Sequence, residues 1–223
     1  MPKYHFECGQ KSTEWYRLRA GIPTASCFSK IVTPGGKASK QAQGYMDFLL
    51  AEFVLGRSLE NEEAITYWME RGTELEASAV RAYEFQTGSE AVECAIVTTD
   101  DELIAASPDR LIGDDGICEI KCPKPHIQVG RMLHNEIDDD YRCQLQGQLW
   151  VMEREWVDIV SYHPQLPPCI LRVERDDKFI KLLSGGVRTF VDVMLERRLE
   201  LERRYGPFVR PELRTREPVT AFA

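Results

Sequence analysis

The chain predicts an α/β fold in which a central mixed β-sheet is flanked by helices, and three observations support that reading. Short segments with strand-like apolar alternation occur among longer segments with helical periodicity. Gly113-Asp114-Asp115-Gly116 separates Arg110–Ile112 from Ile117–Cys122, a strong tight-turn signal for a hairpin. No internal repeat and no linker interrupts the pattern, so residues 1–205 read as a single domain and 206–223, with Pro207, Pro211 and Pro218, as a loosely ordered Pro-rich tail.

In chain order, Ser12 or Thr13 caps a short helix ending near Gly21, and Thr24, after Pro23, caps a second through Val32. Pro34–Gly44, rich in Gly, Lys, Ser and Gln, reads as a mobile surface loop. Tyr45–Leu55 and Glu62–Phe85 read as helices, the second interrupted near Gly72 and closed by Gly88. Strands follow at Val92–Thr98, Leu103–Ala106, Arg110–Ile112 and Ile117–Cys122, with Pro123-Lys124-Pro125 after the last. A helix over Tyr141–Arg154 precedes strands at Trp156–His163 and Ile170–Glu174, which the Pro164–Pro168 loop separates. A long amphipathic helix from Asp176 to Tyr205, kinked at Gly185-Gly186, completes the pattern.

Composition excludes several classes. Of 223 residues, 43% are hydrophobic and 29% charged, the profile of an ordinary globular protein. No apolar run approaches a membrane span, and the polar N-terminus with His5, Glu7 and Gln10 lacks a signal-peptide core. Seven cysteines at scattered spacings argue for reduced thiols and a cytoplasmic setting. No Cys-x-x-Cys pair exists and His5, His126, His134 and His163 are dispersed, which disfavours zinc. A net charge of −8 counts against tight coating of DNA. Charge distribution matters more: Lys11, Arg17, Arg19, Lys30, Lys37 and Lys40 make the first forty residues basic.

Ser107-Pro108-Asp109 followed by Glu119-Ile120-Lys121 carries the chemistry. Alternation along the strand puts Glu119 and Lys121 on one face and Cys118, Ile120 and Cys122 on the other. Mg²⁺ takes oxygen ligands from one or two carboxylates plus water and phosphate, a set that Asp109, Glu119 and the Ile120 carbonyl supply. Such an ion polarises a phosphate and generates hydroxide near neutral pH, and Lys121 is suited to orient that hydroxide or stabilise transition-state charge. A lone Glu-x-Lys triplet arises about once by chance in a chain this long; the preceding Pro-Asp and the hairpin between them give it weight. Glu76, one turn after Gly72, and Gln144, Gln146 and Gln148 are further polar candidates. Gln144 and Gln148 share a helix face while Gln146 points elsewhere.

Taken together, Trp15-x-x-Leu18-Arg19-x-Gly21-Ile22-x-Thr24-Ala25-Ser26, Gly72-x-x-x-Glu76, Ser107-Pro108-Asp109, Glu119-Ile120-Lys121-Cys122-Pro123, Gln144-x-Gln146 and Glu174-Arg175-Asp176-x-Lys178 resemble the lambda exonuclease family. These are YqaJ-type viral recombinase nucleases of the PD-(D/E)xK superfamily, and the six segments stand in the family's order over roughly residues 12–200. The resemblance implies a restriction-endonuclease-like core and a Mg²⁺-dependent exonuclease with two ions per active site, Mn²⁺ being an alternative. It would degrade one strand of linear double-stranded DNA 5′ to 3′, releasing 5′-mononucleotides and leaving 3′ overhangs for phage-type recombination by strand annealing. Asp109, Glu119 and the Ile120 carbonyl would be metal ligands, Glu76 would serve the second ion, and Lys121 would position the attacking water with Gln146 beside it. Arg19, Ser26 and Ser107 would hold a terminal 5′-phosphate, and Met69 would be the wedge that separates the strands. Family members form ring-shaped homotrimers that thread DNA and pass the exposed strand to a single-strand annealing protein, here in the cytoplasm of a bacterial host cell. Two departures stand out: Arg110 occupies a position where glycine often follows Ser-Pro-Asp, and residues 34–44 do not match. An endonuclease of restriction or repair type is the alternative enzyme, and a non-catalytic DNA-end binder the alternative of a different class.

Overall fold

Among the described residues two sheets organise the chain, and the larger carries the candidate site. The computed structural model describes residues 1–60 and 67–208. The expected start of the second long helix, the Met69 side chain and the tail beyond Phe208 therefore lie outside the described residues.

β1 (Lys3–His5) pairs antiparallel with β3 (Ile96–Thr98), which pairs with β4 (Ala105–Ala106) in a three-stranded sheet. The second sheet has the order β2 (Ala91–Val92), β5 (Arg110–Ile112), β6 (Gly116–Lys121), β7 (Trp156–His163), β8 (Leu166–Glu174). Only β6 and β7 run parallel, so the sheet is mixed as expected. Their crossover contains α4 (Pro125–His134) and α5 (Arg142–Met152), the length that a parallel connection needs.

Three readings are corrected here. The run Val92–Thr98 is not one strand: β2 and β3 belong to different sheets. Gln10 Nε2 donates to the Cys94 carbonyl and Trp15 Nε1 to the Ala95 carbonyl, so side chains take acceptors that a continuous ladder would use. The sequence pattern gives no helix after Pro123-Lys124-Pro125, yet α4 stands there. Pro125 sits in its first turn, where proline is tolerated, and Asn135 closes it in the left-handed region. β8 begins at Leu166 and includes Pro167 and Pro168, which an edge strand accommodates.

The remaining helices are α1 (Thr13–Arg19), capped by Ser12 Oγ; α2 (Ala42–Leu55); α3 (Tyr67–Thr87), unbroken at Gly72; and α6 (Asp177–Tyr205), unbroken at Gly185-Gly186. Ala25–Lys30 is a 3-10 helix. On one face of the large sheet, Ala79, Val80 and Tyr83 of α3 pack on Ile112, Cys118, Ile120 and Val160. On the other, Leu145, Leu149 and Met152 of α5 cover Ile117, Val157 and Ile159, with residues of α2 and α6 completing that core. At ~1.5–3 kcal/mol for each large apolar side chain buried, these two layers are the main force fixing β6 between α3 and α5. Gly147 lets α5 approach the 3-10 helix closely: a Cβ there would lie 2.5 Å from the Phe28 ring. No helix among the described residues is long and apolar enough to cross a membrane.

Candidate active site

The Ser-Pro-Asp segment connects the two sheets, running from the end of β4 to the start of β5. Asp109 turns back across the hairpin, and its Oδ2 accepts the Ile120 N–H at 2.6 Å. That bond fixes the carboxyl of one arm to the backbone of the other. Glu119 is 3% exposed, on the β6 face covered by α5. Its Oε1 accepts from Lys121 Nζ at 2.7 Å and Gln144 Nε2 at 2.6 Å, and its Oε2 from Gln148 Nε2 at 2.7 Å. A buried carboxylate is tolerated when its lone pairs are met in this way. Lys121 Nζ also reaches Gln144 Oε1 at 3.4 Å and lies 5.0 Å from the Tyr141 ring centre.

Burial, then the neighbouring Glu119 carboxylate, push Asp109 up to about 8. Burial works against the Lys121 ammonium, but Glu119 and Asp109 together outweigh it and hold its pKa above the usual lysine range. Asp109 and Glu119 repel one another while Lys121 attracts both, and a hard divalent cation would relieve that repulsion. The donors therefore fit Mg²⁺ at Asp109 and Glu119. Glu76 is committed differently. Its Oε1 accepts from Arg110 at 2.9 Å, while Arg110 also donates to the Asp109 carbonyl and lies 3.1 Å from Glu93 Oε1. Among the described residues, no three His, Cys, Asp or Glu side chains converge as a metal-holding group.

Arg19, Ser26 and Ser107 are brought together in one linked cluster. Arg19 donates to Ser107 Oγ at 3.3 Å and Thr24 Oγ1 at 3.4 Å, and Thr24 Oγ1 lies 3.3 Å from Ser26 Oγ. The guanidinium stacks 4.2 Å above Trp15, whose Nε1 also donates to Ser107 Oγ. Glu60 takes the outer fork of Arg19 in a bidentate pair at 3.0 and 2.8 Å, the geometry in which arginine receives two oxygens of one anion. Lys11, Trp15, Lys30, Lys40 and Glu60 line a groove of about 640 Å³ beside this cluster. A second cavity of about 280 Å³ is lined by Lys11, Glu76, Asp109 and Arg110, so Lys11 lines both spaces.

One placement is corrected. Gln146 does not stand beside Lys121: its amide donates to the Glu174 carbonyl and accepts from the Asp176 N–H, tying α5 to the start of α6. Gln144 and Gln148 are the amides at the site, one helical turn apart on the face toward β6. Their shared spacing was the available signal for that role. Nothing in the sequence pointed to Glu60 as the partner of Arg19.

Three comparisons bear on this arrangement. The model of the YqaJ-like viral recombinase domain matches residues 14–155. The structure is similar to an alkaline exonuclease, LHK-Exo, from Laribacter hongkongensis, with 32% identity, a TM-score of 0.77, and 86% of this chain and 97% of that chain covered. The same enzyme in complex with dAMP gives a TM-score of 0.78 at the same identity and coverage. A phage related exonuclease from Haemophilus somnus 129PT shares the fold, at 15% identity and a TM-score of 0.58, over 79% of this chain and 96% of that one. No curated protein matches the chain.

Proposed function

The chain belongs to the YqaJ-like viral recombinase family, and we infer from that membership and the site that it is a DNA exonuclease. In finer detail, we propose a Mg²⁺-dependent enzyme that degrades one strand of linear duplex DNA from its 5′ end. It would release 5′-mononucleotides and leave a 3′ overhang for strand annealing. The observation that carries this reading is the position of Ser107. Its hydroxyl belongs to the Arg19 cluster, its carbonyl accepts from Gln148, and Asp109 is two residues further on. A terminal phosphate that replaced Glu60 in the fork of Arg19 would thus be held beside the carboxylates that act on the next linkage.

Asp109 and Glu119, with the Ile120 carbonyl, would hold the ion, which supplies Lewis acidity and a bound hydroxide. Gln144 and Gln148 fix the Glu119 carboxylate, so that its oxygens need not reorganise during reaction. Lys121 keeps an ammonium beside that carboxylate to orient a nucleophile or to stabilise charge on the phosphoryl oxygens. In-line hydrolysis breaks the P–O3′ bond: the scissile phosphate stays as the new 5′-phosphate of the shortened strand, and the released mononucleotide keeps its original 5′-phosphate and takes a proton on its 3′ oxygen.

A homotrimeric ring would add processivity, since a closed ring retains DNA topologically and a net charge of −8 need not oppose it. Such a ring would hand the exposed strand to a single-strand annealing protein. The test is linear duplex labelled separately at its 5′ and 3′ ends, with covalently closed plasmid alongside. Early release of the 5′ label as mononucleotide, no cleavage of plasmid and inhibition by chelator are expected. Initial release of the 3′ label would overturn the polarity, and plasmid cleavage the exonuclease reading. Light scattering at about three times the 25.6 kDa monomer mass would support the ring.

A further inference from the structure

Arg110 places a permanent cation at the carboxylate where a second divalent ion would bind. Its side chain is 12% exposed and is anchored twice, on the Asp109 carbonyl and on Glu76 Oε1. Its other terminal nitrogen lies 3.1 Å from Glu93. Guanidinium does not lose its proton at any working pH. A Mg²⁺ ion on Glu76 would either take Oε1 from Arg110 or bind Oε2 of the carboxylate that Arg110 already holds, and in both cases a doubly charged ion would stand next to a largely buried guanidinium. The cavity at this point is lined by Asp109, Glu76 and Arg110 together, so a second ion held there by the two carboxylates would face the guanidinium.

We propose that Arg110 serves the site in place of a second metal ion: it holds Glu76, fixes positive charge beside Asp109, and leaves one cation position per chain. This rests on reading Asp109 and Glu119 as the metal-binding carboxylates. A single ion at Asp109 and Glu119 would then activate the nucleophile, and Arg110 would supply electrostatic stabilisation where the two-ion scheme has a Lewis acid. Arg110 cannot generate hydroxide, so the roles are not interchangeable.

The probe is Mn²⁺, titrated calorimetrically and followed by electron paramagnetic resonance, with and without a 5′-phosphorylated blunt duplex. A Lys121→Ala background prevents cleavage during the measurement. The protein that retains Arg110 should bind one Mn²⁺ with an isolated-ion spectrum. Arg110→Ala should bind two, with the exchange-coupled spectrum of ions about 4 Å apart, and adding Glu76→Gln should return the count to one. Arg110→Gln, which can still donate to the Asp109 carbonyl, runs alongside should the alanine variant not fold. Two ions in the protein that retains Arg110, or one in both Arg110 variants, overturns the proposal and leaves the Asp109–Glu119 site standing. No ion in any protein, with Asp109→Asn no different, removes the metal site and the proposal together.

Discussion

Asp109→Asn separates the chemistry of the site from its cost to stability. Asp109 lies at about 8 in the fold against 3.8 for an ordinary aspartate, raised by burial and then by Glu119. Between those values the folded state binds a proton that the unfolded chain has released. Stability of the metal-free protein must therefore fall as pH rises through that window. Lys121 does not offset this trend: its pKa is raised above 10.5, so its contribution persists throughout the window. One pH unit is worth at most about 1.4 kcal/mol, or about 2.7 kcal/mol between pH 5 and pH 7. Relaxation of the site and water entry should roughly halve that, to about 1–2 kcal/mol, a melting shift of roughly 2–8 °C for a chain of this size. The amide introduced by Asp109→Asn would keep an oxygen for the Ile120 N–H but carry no charge. In chelator, the wild-type melting temperature should fall by that amount relative to Asp109→Asn as pH rises from 5 to 7. Saturating Mg²⁺ should restore the wild type and leave the variant unchanged, and the variant should not hydrolyse DNA. Parallel pH profiles for the two proteins in chelator would refute the reading of Asp109 as an electrostatically strained metal ligand.

Lys121→Ala should abolish hydrolysis while retaining Mg²⁺-induced stabilisation, as measured by thermal melts with and without metal; turnover like the wild type would remove Lys121 from the chemistry. Arg19→Ala should lose most of the preference for 5′-phosphorylated over 5′-hydroxyl duplex ends in an initial-rate assay, because the bidentate fork of the cluster disappears; equal wild-type rates on both ends would mean that no phosphate pocket exists. Gln148→Ala should lower kcat at least tenfold by freeing Glu119 Oε2, whereas Gln146→Ala should cost about 1–3 kcal/mol of stability with kcat little changed, since its bonds lie at the start of α6. Gly147→Ala should lower the melting temperature despite alanine's better helix propensity, because overpacking against Phe28 costs about 1–3 kcal/mol and the helix gain is at most about 1 kcal/mol.

What could be read from the sequence was local, and what could not was set by tertiary partners. The β5–β6 hairpin follows from a turn signal and a two-residue alternation, which act over about ten residues and need no other part of the chain. Val92–Thr98 carries a plausible strand pattern as well, but Gln10 and Trp15, some eighty residues earlier, take the carbonyls that divide it between two sheets. Gly72 reads as an interruption and Gly185-Gly186 as a kink because a helical glycine costs about 1 kcal/mol; α3 nevertheless runs on through Gly72 and α6 continues through Gly185-Gly186, and Gly186 lies where a Cβ would approach Val32 to 2.5 Å. The glutamines show the same division inside the site. Helical spacing alone put Gln144 and Gln148 on one face and Gln146 on another, and the structure has that arrangement. The family motif pointed instead to Gln146, two residues along, which faces the β8–α6 junction. Two residues on a helix is a rotation of about 200°, enough to move a side chain from the carboxylate of β6 to the far side of α5. A motif carries its chemistry to a new chain only as far as the helix phase agrees, and here the phase assigns the contact with Glu119 to Gln144 and Gln148.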